Sequence, residues 1–167
     1  MSGFGALSFG NFQFGQQWIN PTTPNLTDFQ NFIYNSMGIP TIALPLKSPW
    51  SGFAFNQAIA LVAFYPTVTA IEYVLAVYNC AGHILLKITP DQTGSSYFKT
   101  ARSDMKMLEP EIGIIQSSGD ESTSNSFAIG EGMRNMTLGD LNFYRTPYGR
   151  EYLAYAQDAG PGLWGLT

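Results

Sequence analysis

Charge is what this chain has least of. Only 12% of its 167 residues are Asp, Glu, Lys or Arg, about half the share of an ordinary soluble domain. A monomer of this size relies on a charged surface to stay dispersed, so much of this surface is expected to be hidden in protein contacts. Positive charge is scarcer still, with four Lys and four Arg, nowhere clustered, and a formal net charge of −4. That disfavours sequence-specific or electrostatic binding of nucleic acid. The single cysteine, Cys80, excludes an intrachain disulfide and gives no support for a disulfide-stapled secreted scaffold. The single histidine, His83, leaves no second imidazole or thiolate with which to complete a metal site. Met1 to Gly15 has neither a basic segment nor a continuous apolar core, and is not expected to be a signal peptide. The sequons Asn25-Leu26-Thr27 and Asn135-Met136-Thr137 are then better read as helix caps.

Aromatic residues are plentiful, at 14%. They begin in residues 1–25, where Gly3-Phe4-Gly5, Phe9-Gly10 and Phe14-Gly15 lead to Trp18, Pro21 and Pro24. This stretch has no helical or strand period and reads as a flexible arm. Its Phe4, Phe9, Phe14 and Trp18 would anchor on a neighbouring subunit and become ordered only in an assembly. At residues 159–167, Gly160-Pro161-Gly162 breaks the last helix and Leu163-Trp164-Gly165-Leu166-Thr167 follows. Termini are usually polar and frayed, so an apolar end suggests a docking tail received by a pocket on another protein.

Between the two arms, residues 26–158 read as one mainly α domain. A first helix over about 27–37 is capped by Asn25 or Thr27 and stopped by Gly38 and Pro40, with Phe29, Phe32, Ile33 and Met37 on one face. Residues 39–50, with three prolines, form an extended connector. A second, almost wholly apolar helix runs from Ser51 to about Phe64 and ends at Pro66. The third, about 67–89, is apolar enough to raise the question of a membrane span. However, Glu72, Asn79, His83 and Lys87 fall on one stripe, which suits a core helix with one exposed or interfacial edge. A fourth helix covers 95–108, capped by Ser95 or Ser96, with Tyr97, Phe98, Ala101, Met105 and Leu108 inward. Residues of about 111–130 read as a long extended loop or β-hairpin around the polar run Ser117-Ser118-Gly119-Asp120-Glu121-Ser122-Thr123-Ser124. Thr137 caps a helix over Leu138 to Tyr144. Thr146-Pro147 starts the last one, over 147–158.

No catalytic constellation is present. Cys80 and His83 stand one helical turn apart, but the pair lacks an orienting third residue and lies on a core helix, so a buried thiol and a hydrogen-bonded edge histidine are expected. No nucleophile elbow, zinc helix or phosphate loop occurs, and Gly130 and Gly132 do not open a dinucleotide fingerprint. Asp120 and Glu121 are adjacent carboxylates in a solvated turn. The chain is expected to be no enzyme and to need no cofactor or metal. A small-ligand binder or Cys-dependent enzyme using Cys80 and His83 is the minor alternative.

Three blocks resemble the head–tail adaptor (connector) proteins of tailed bacteriophages. They are Tyr73-Val74-Leu75-Ala76-Val77-Tyr78-Asn79-Cys80-Ala81-Gly82-His83, the polar run 117–124, and a C-terminal block. The last comprises Leu138-Gly139-Asp140-Leu141, Thr146-Pro147-Tyr148-Gly149-Arg150 and Trp164-Gly165-Leu166-Thr167. The resemblance spans about residues 26–167, and the aromatic arm departs from the family pattern. It implies a small helical bundle with a long loop and no enzymatic activity. Twelve copies would form a homo-oligomeric ring at the virion neck, between the portal protein and a downstream neck or tail protein. The ring would extend the channel for passing double-stranded DNA, without sequence-specific binding and without a membrane. Leu163 to Thr167 would dock on the portal, and Ser117 to Ser124 would face the channel or a neighbour. Another virion neck role, stopper or tail-completion subunit, is the alternative within the same setting.

Overall fold

The computed structural model describes residues 23–66, 68–108, 117–120, 123–126 and 137–158. Six α-helices account for most of them: α1 (Leu26–Asn31), α2 (Pro49–Leu61), α3 (Ala70–Ile88), α4 (Tyr97–Asp104), α5 (Leu138–Tyr144) and α6 (Pro147–Asp158). The chain is mainly α, as its periodicity indicated. One π-helical turn, Phe32–Ser36, extends α1.

The first helix starts at Asn25. Its backbone is extended, and its side chain accepts a hydrogen bond from Asp28 N at 2.9 Å. Asn25 therefore fills the capping role that the sequence left open between it and Thr27. Gly38, at φ +65°, reverses the chain, and Ile39 N closes the end by donating to Ile33 O at 3.2 Å. A left-handed residue at this point suits glycine. The connector that follows is less extended than expected. Ala43 N and Leu44 N both donate to Pro40 O, and Ser48 N donates to Pro45 O, so prolines 40 and 45 each open a turn. Pro49 belongs to α2, at its first position, where its missing N–H costs nothing and its φ is already helical.

α2 ends at Leu61 rather than near Phe64, with Val62 already extended at ψ 112°. Pro66 explains the early stop, because a helix continued through it would drive its ring into the carbonyl of Val62. α3 begins at Ala70 with a reciprocal cap. Thr69 accepts from Glu72 N, and Glu72 accepts from Thr69 N at 2.7 Å. Its other end is held by Arg102, whose guanidinium donates to Leu86 O at 3.0 Å and Thr89 O at 2.7 Å. A cation on the last carbonyls satisfies acceptors the helix cannot and complements its dipole.

α3 is the centre of the fold. It is long and apolar enough to cross a membrane, yet 61% of that span is buried inside the protein. Tyr78 lies on one side of it, with its ring 5.8 Å from that of Phe29 and 6.3 Å from that of Phe55 on α2. His83 lies five residues on, roughly 140° around the helix at about 100° per residue. There it meets α5 and α6 through Asn142 and Thr146. α3 is thus sandwiched, with α1 and α2 on one side and α5 and α6 on the other. Burying rings such as Phe29 and Tyr78, both 0% exposed, stabilises this arrangement by roughly 1.5–3 kcal/mol per large side chain.

α4 is shorter than expected. Ser96 stands at its N-cap without a side-chain bond. Asp91 does the capping instead, accepting from Phe98 N at 2.8 Å and Lys99 N at 3.1 Å. Phe98 points inward, but Leu108, also expected inward, is exposed. The helix stops at Asp104, and Lys106, at φ +53°, turns the chain out of the helical period before Leu108 is reached.

Within 111–130, Ser117–Asp120 and Thr123–Ser126 pair antiparallel, Ser117 opposite Ser126 and Asp120 opposite Thr123. These eight residues do not establish the longer hairpin or loop expected there, because the remainder of that stretch lies outside the described residues. α5 starts with a second reciprocal cap, between Thr137 and Asp140. α6 starts at Thr146, whose hydroxyl accepts from Gly149 N at 2.9 Å. Gly149 is required by packing. A Cβ there would lie 2.7 Å from Phe143 C and 2.9 Å from its Cα, closer than any side chain can approach.

Candidate interaction surface

The two residues with the best claim to chemistry, Cys80 and His83, are both buried. Burial pushes the Cys80 thiol up to about 12, so no thiolate forms at neutral pH. His83 does not occupy the edge position expected for it. α5 and α6 fold over that part of the polar stripe, leaving the ring 2% exposed. Its Nδ1 is 2.8 Å from Thr146 Oγ1 and its Nε2 is 3.1 Å from Asn142 Oδ1. The ring also lies against Phe143, 4.4 Å between centroids.

The protonation of this group follows from its partners. Asn142 Oδ1 is an acceptor that also receives Lys87 Nζ at 3.3 Å, so Nε2 carries the hydrogen. Nδ1 is then the acceptor for the Thr146 hydroxyl, which itself accepts from Gly149 N. Both ring nitrogens are then matched with the imidazole neutral. Burial holds its pKa down to about 4, and nearby Lys87 adds to the effect, while the bond to Asn142 opposes it. With both ring nitrogens committed to α5 and α6, the imidazole is not placed to deprotonate Cys80. Its geometry is that of a rivet between helices. The remaining members of the stripe separate: Glu72 caps α3, Asn79 bonds Leu75 O at 3.0 Å, and exposed Lys87 reaches Asn142.

Among the described residues, no three His, Cys, Asp or Glu side chains gather into a metal-binding group. Pro45, Lys47, Ser48, Pro49, Trp50 and Gln92 border an open depression of about 380 Å³. It offers one charged side chain and little enclosure for a small ligand.

The unusual surface is the outer side of α2. Phe53 and Phe55 are two residues apart and so stand on opposite sides of the helix. Phe55 is 6% exposed in the core, while Phe53 is 50% exposed, with nothing over it among the described residues. Leu61 at the end of α2, Phe64 in the connection and Ile71 in the first turn of α3 are each more than half exposed as well. A helix apolar on every side belongs in an interior. The sequence reading missed this surface. Its signal was the alternation Phe53-Ala54-Phe55, which a one-sided amphipathic helix does not carry.

Of the residues singled out from sequence, Phe4, Phe9, Phe14, Trp18 and Leu163 to Thr167 lie outside the described residues. Ser117 to Asp120, Thr123 and Ser124 fall in the paired strands, and Glu121 and Ser122 lie outside them. No protein-family model, curated protein or solved structure matches the chain.

Proposed function

We propose that this chain is a structural assembly subunit rather than an enzyme. The observation that carries the reading is the set of exposed apolar side chains on α2 and the turn into α3, Phe53, Leu61, Phe64 and Ile71, in a chain with only 12% charged residues. Apolar patches of this kind on soluble proteins mark surfaces for other proteins. The state of Cys80 and His83 supports the same reading, since a thiol held at about 12 and a doubly bonded neutral imidazole suit packing.

Within that class, the particular role is a head–tail adaptor at the neck of a tailed-phage virion. Copies form a closed ring of twelve between the portal and the next neck or tail protein, and the ring extends the DNA channel. Of the three resembling blocks, Tyr73 to His83 falls on the core helix α3, and the Leu138 to Arg150 part of the C-terminal block falls on α5 and α6, which pack over His83. The polar run around Asp120 and Glu121 is assigned to the channel or a neighbouring subunit, with an acidic or neutral face past which DNA slides without phosphate contacts. The tail Leu163 to Thr167 is assigned to the portal.

The test is reconstitution with portal-bearing heads. A ring seated under the portal in electron micrographs is the expected result. Deletion of 163–167 should abolish attachment while leaving the melting temperature of the free subunit nearly unchanged. A ring that binds only the far side of an adaptor already in place would make the chain a stopper or tail-completion subunit. A component that remains monomeric and off any symmetry axis would end the assembly reading altogether.

A further inference from the structure

The two longest uncharged runs of the chain are Met1 to Thr27 and Ser48 to Ile71, neither of which contains Asp, Glu, Lys, Arg or His. The second forms α2 and the connection to α3, and presents Phe53, Leu61, Phe64 and Ile71 to the outside. The first supplies Phe4, Phe9, Phe14 and Trp18. An uncharged aromatic segment and an uncharged apolar surface match chemically, because neither loses hydration of a charge when they meet.

The described end of the first run lies close to the second. Asn25 N donates to Tyr78 Oη at 3.2 Å, and the same hydroxyl donates to Asn25 O at 3.2 Å. The Tyr78 ring in turn packs on Phe55 of α2. Asn25, near the described end of this run, therefore lies on the α2 side of α3. Its length decides which copy it serves. Residues 1–22 span up to ~70 Å when extended, at about 3.3 Å per residue. The 13 residues of α2 cover only ~20 Å, and a compact domain of about this size is ~40 Å across. A strap for its own α2 would need about a third of that reach, whereas crossing ~40 Å to the next subunit uses more than half of it.

From this we infer that the N-terminal arm of one copy, through Phe4, Phe9, Phe14 and Trp18, covers the outer surface of α2 on an adjacent copy. The inference rests on the self-assembly reading above and supplies the contact that reading lacks. Each copy gives an arm at one place and receives one at another, and run head-to-tail such a contact closes into a ring.

The experiment uses the full chain with Phe9→p-benzoylphenylalanine, mixed as heavy-isotope and ordinary copies and irradiated in the assembled state. Cross-links joining heavy to ordinary copies, with the second end in residues 53–71, are expected. Cross-links confined to single copies, or joining copies anywhere else, overturn the inference. In parallel, Phe53→Glu and deletion of residues 1–22 should each weaken self-association at least about tenfold, as loss of an interface aromatic does. Because Phe53 is exposed and residues 1–22 precede the capped start of α1, the helical circular-dichroism melt should stay unchanged in both. Undiminished association of both variants overturns the inference while leaving assembly itself intact. A full-length chain that stays monomeric at every concentration removes both.

Discussion

Acid should destabilise this protein through His83. His83 is held neutral between Thr146 and Asn142, with its pKa lowered by burial to about 4 from the usual 6.5. Between those two values the unfolded chain binds a proton that the folded chain refuses, so stability falls as pH drops through that window. Above about pH 6.5 the imidazole is neutral in both states and contributes no pH dependence, and below about pH 4 it is charged in both and the loss is complete. The difference of roughly two and a half units, at 1.36 kcal/mol each, amounts to about 3 kcal/mol. That is a substantial share of the 5–15 kcal/mol typical of a whole domain. The assay is urea unfolding at steps from pH 7.5 to pH 4 for the natural chain and for His83→Gln, which cannot titrate. Carboxylates titrate in both proteins and cancel in the comparison. The advantage of the natural chain over the variant should shrink by about 3 kcal/mol across the window. If the difference between the two proteins stays constant with pH, the imidazole is not a buried neutral rivet and the argument fails.

Three further expectations follow from the packing around α3 and α6. Gly149→Ala should destabilise by more than about 3 kcal/mol, or prevent folding, because the added methyl would enter the backbone of Phe143; a melting temperature within a few degrees of the natural chain would contradict that close approach. Thr89 is 0% exposed, and its hydroxyl has no hydrogen-bond partner among the described residues. Thr89→Val, which keeps the shape and removes the unpaired oxygen, should raise stability by about 1 kcal/mol in denaturant titration, and a loss of that size would reveal a bond for the hydroxyl. Cys80, buried and shifted to about 12, should resist thiol reagents at pH 7.5 until the chain is unfolded; prompt stoichiometric labelling of the native protein would revive nucleophilic chemistry at this position.

Local signals in the sequence were sufficient wherever the physics is local. Asn25, Gly38, Thr137 and Thr146-Pro147 begin or end helices because capping and left-handed turns involve only residues within a few positions of one another. The apolar content and single polar stripe of α3 likewise identified it as the central core helix, as its burial bears out. The charge shortage, the single Cys and single His, and the aromatic residues of 1–25 are properties of the sequence itself.

What the sequence could not supply depended on segments far apart in the chain. The polar stripe of α3 looked like an edge because nothing local shows that Asn142 and Thr146, some sixty residues later, would close over His83. Asp91 caps α4 from seven residues away, beyond the reach of the usual capping patterns, so Ser95 and Ser96 looked like the better choices. Leu108 seemed to continue an inward face until the turn at Lys106 broke the period. The outer side of α2 became visible only once one of its faces had been buried against α3, leaving Phe53 with no cover while Phe55 went into the core. Periodicity tells which residues seek an interior, but on a helix apolar all round it cannot tell which side its own chain will cover. Tertiary packing made that choice, and it left uncovered the surface on which the functional reading rests.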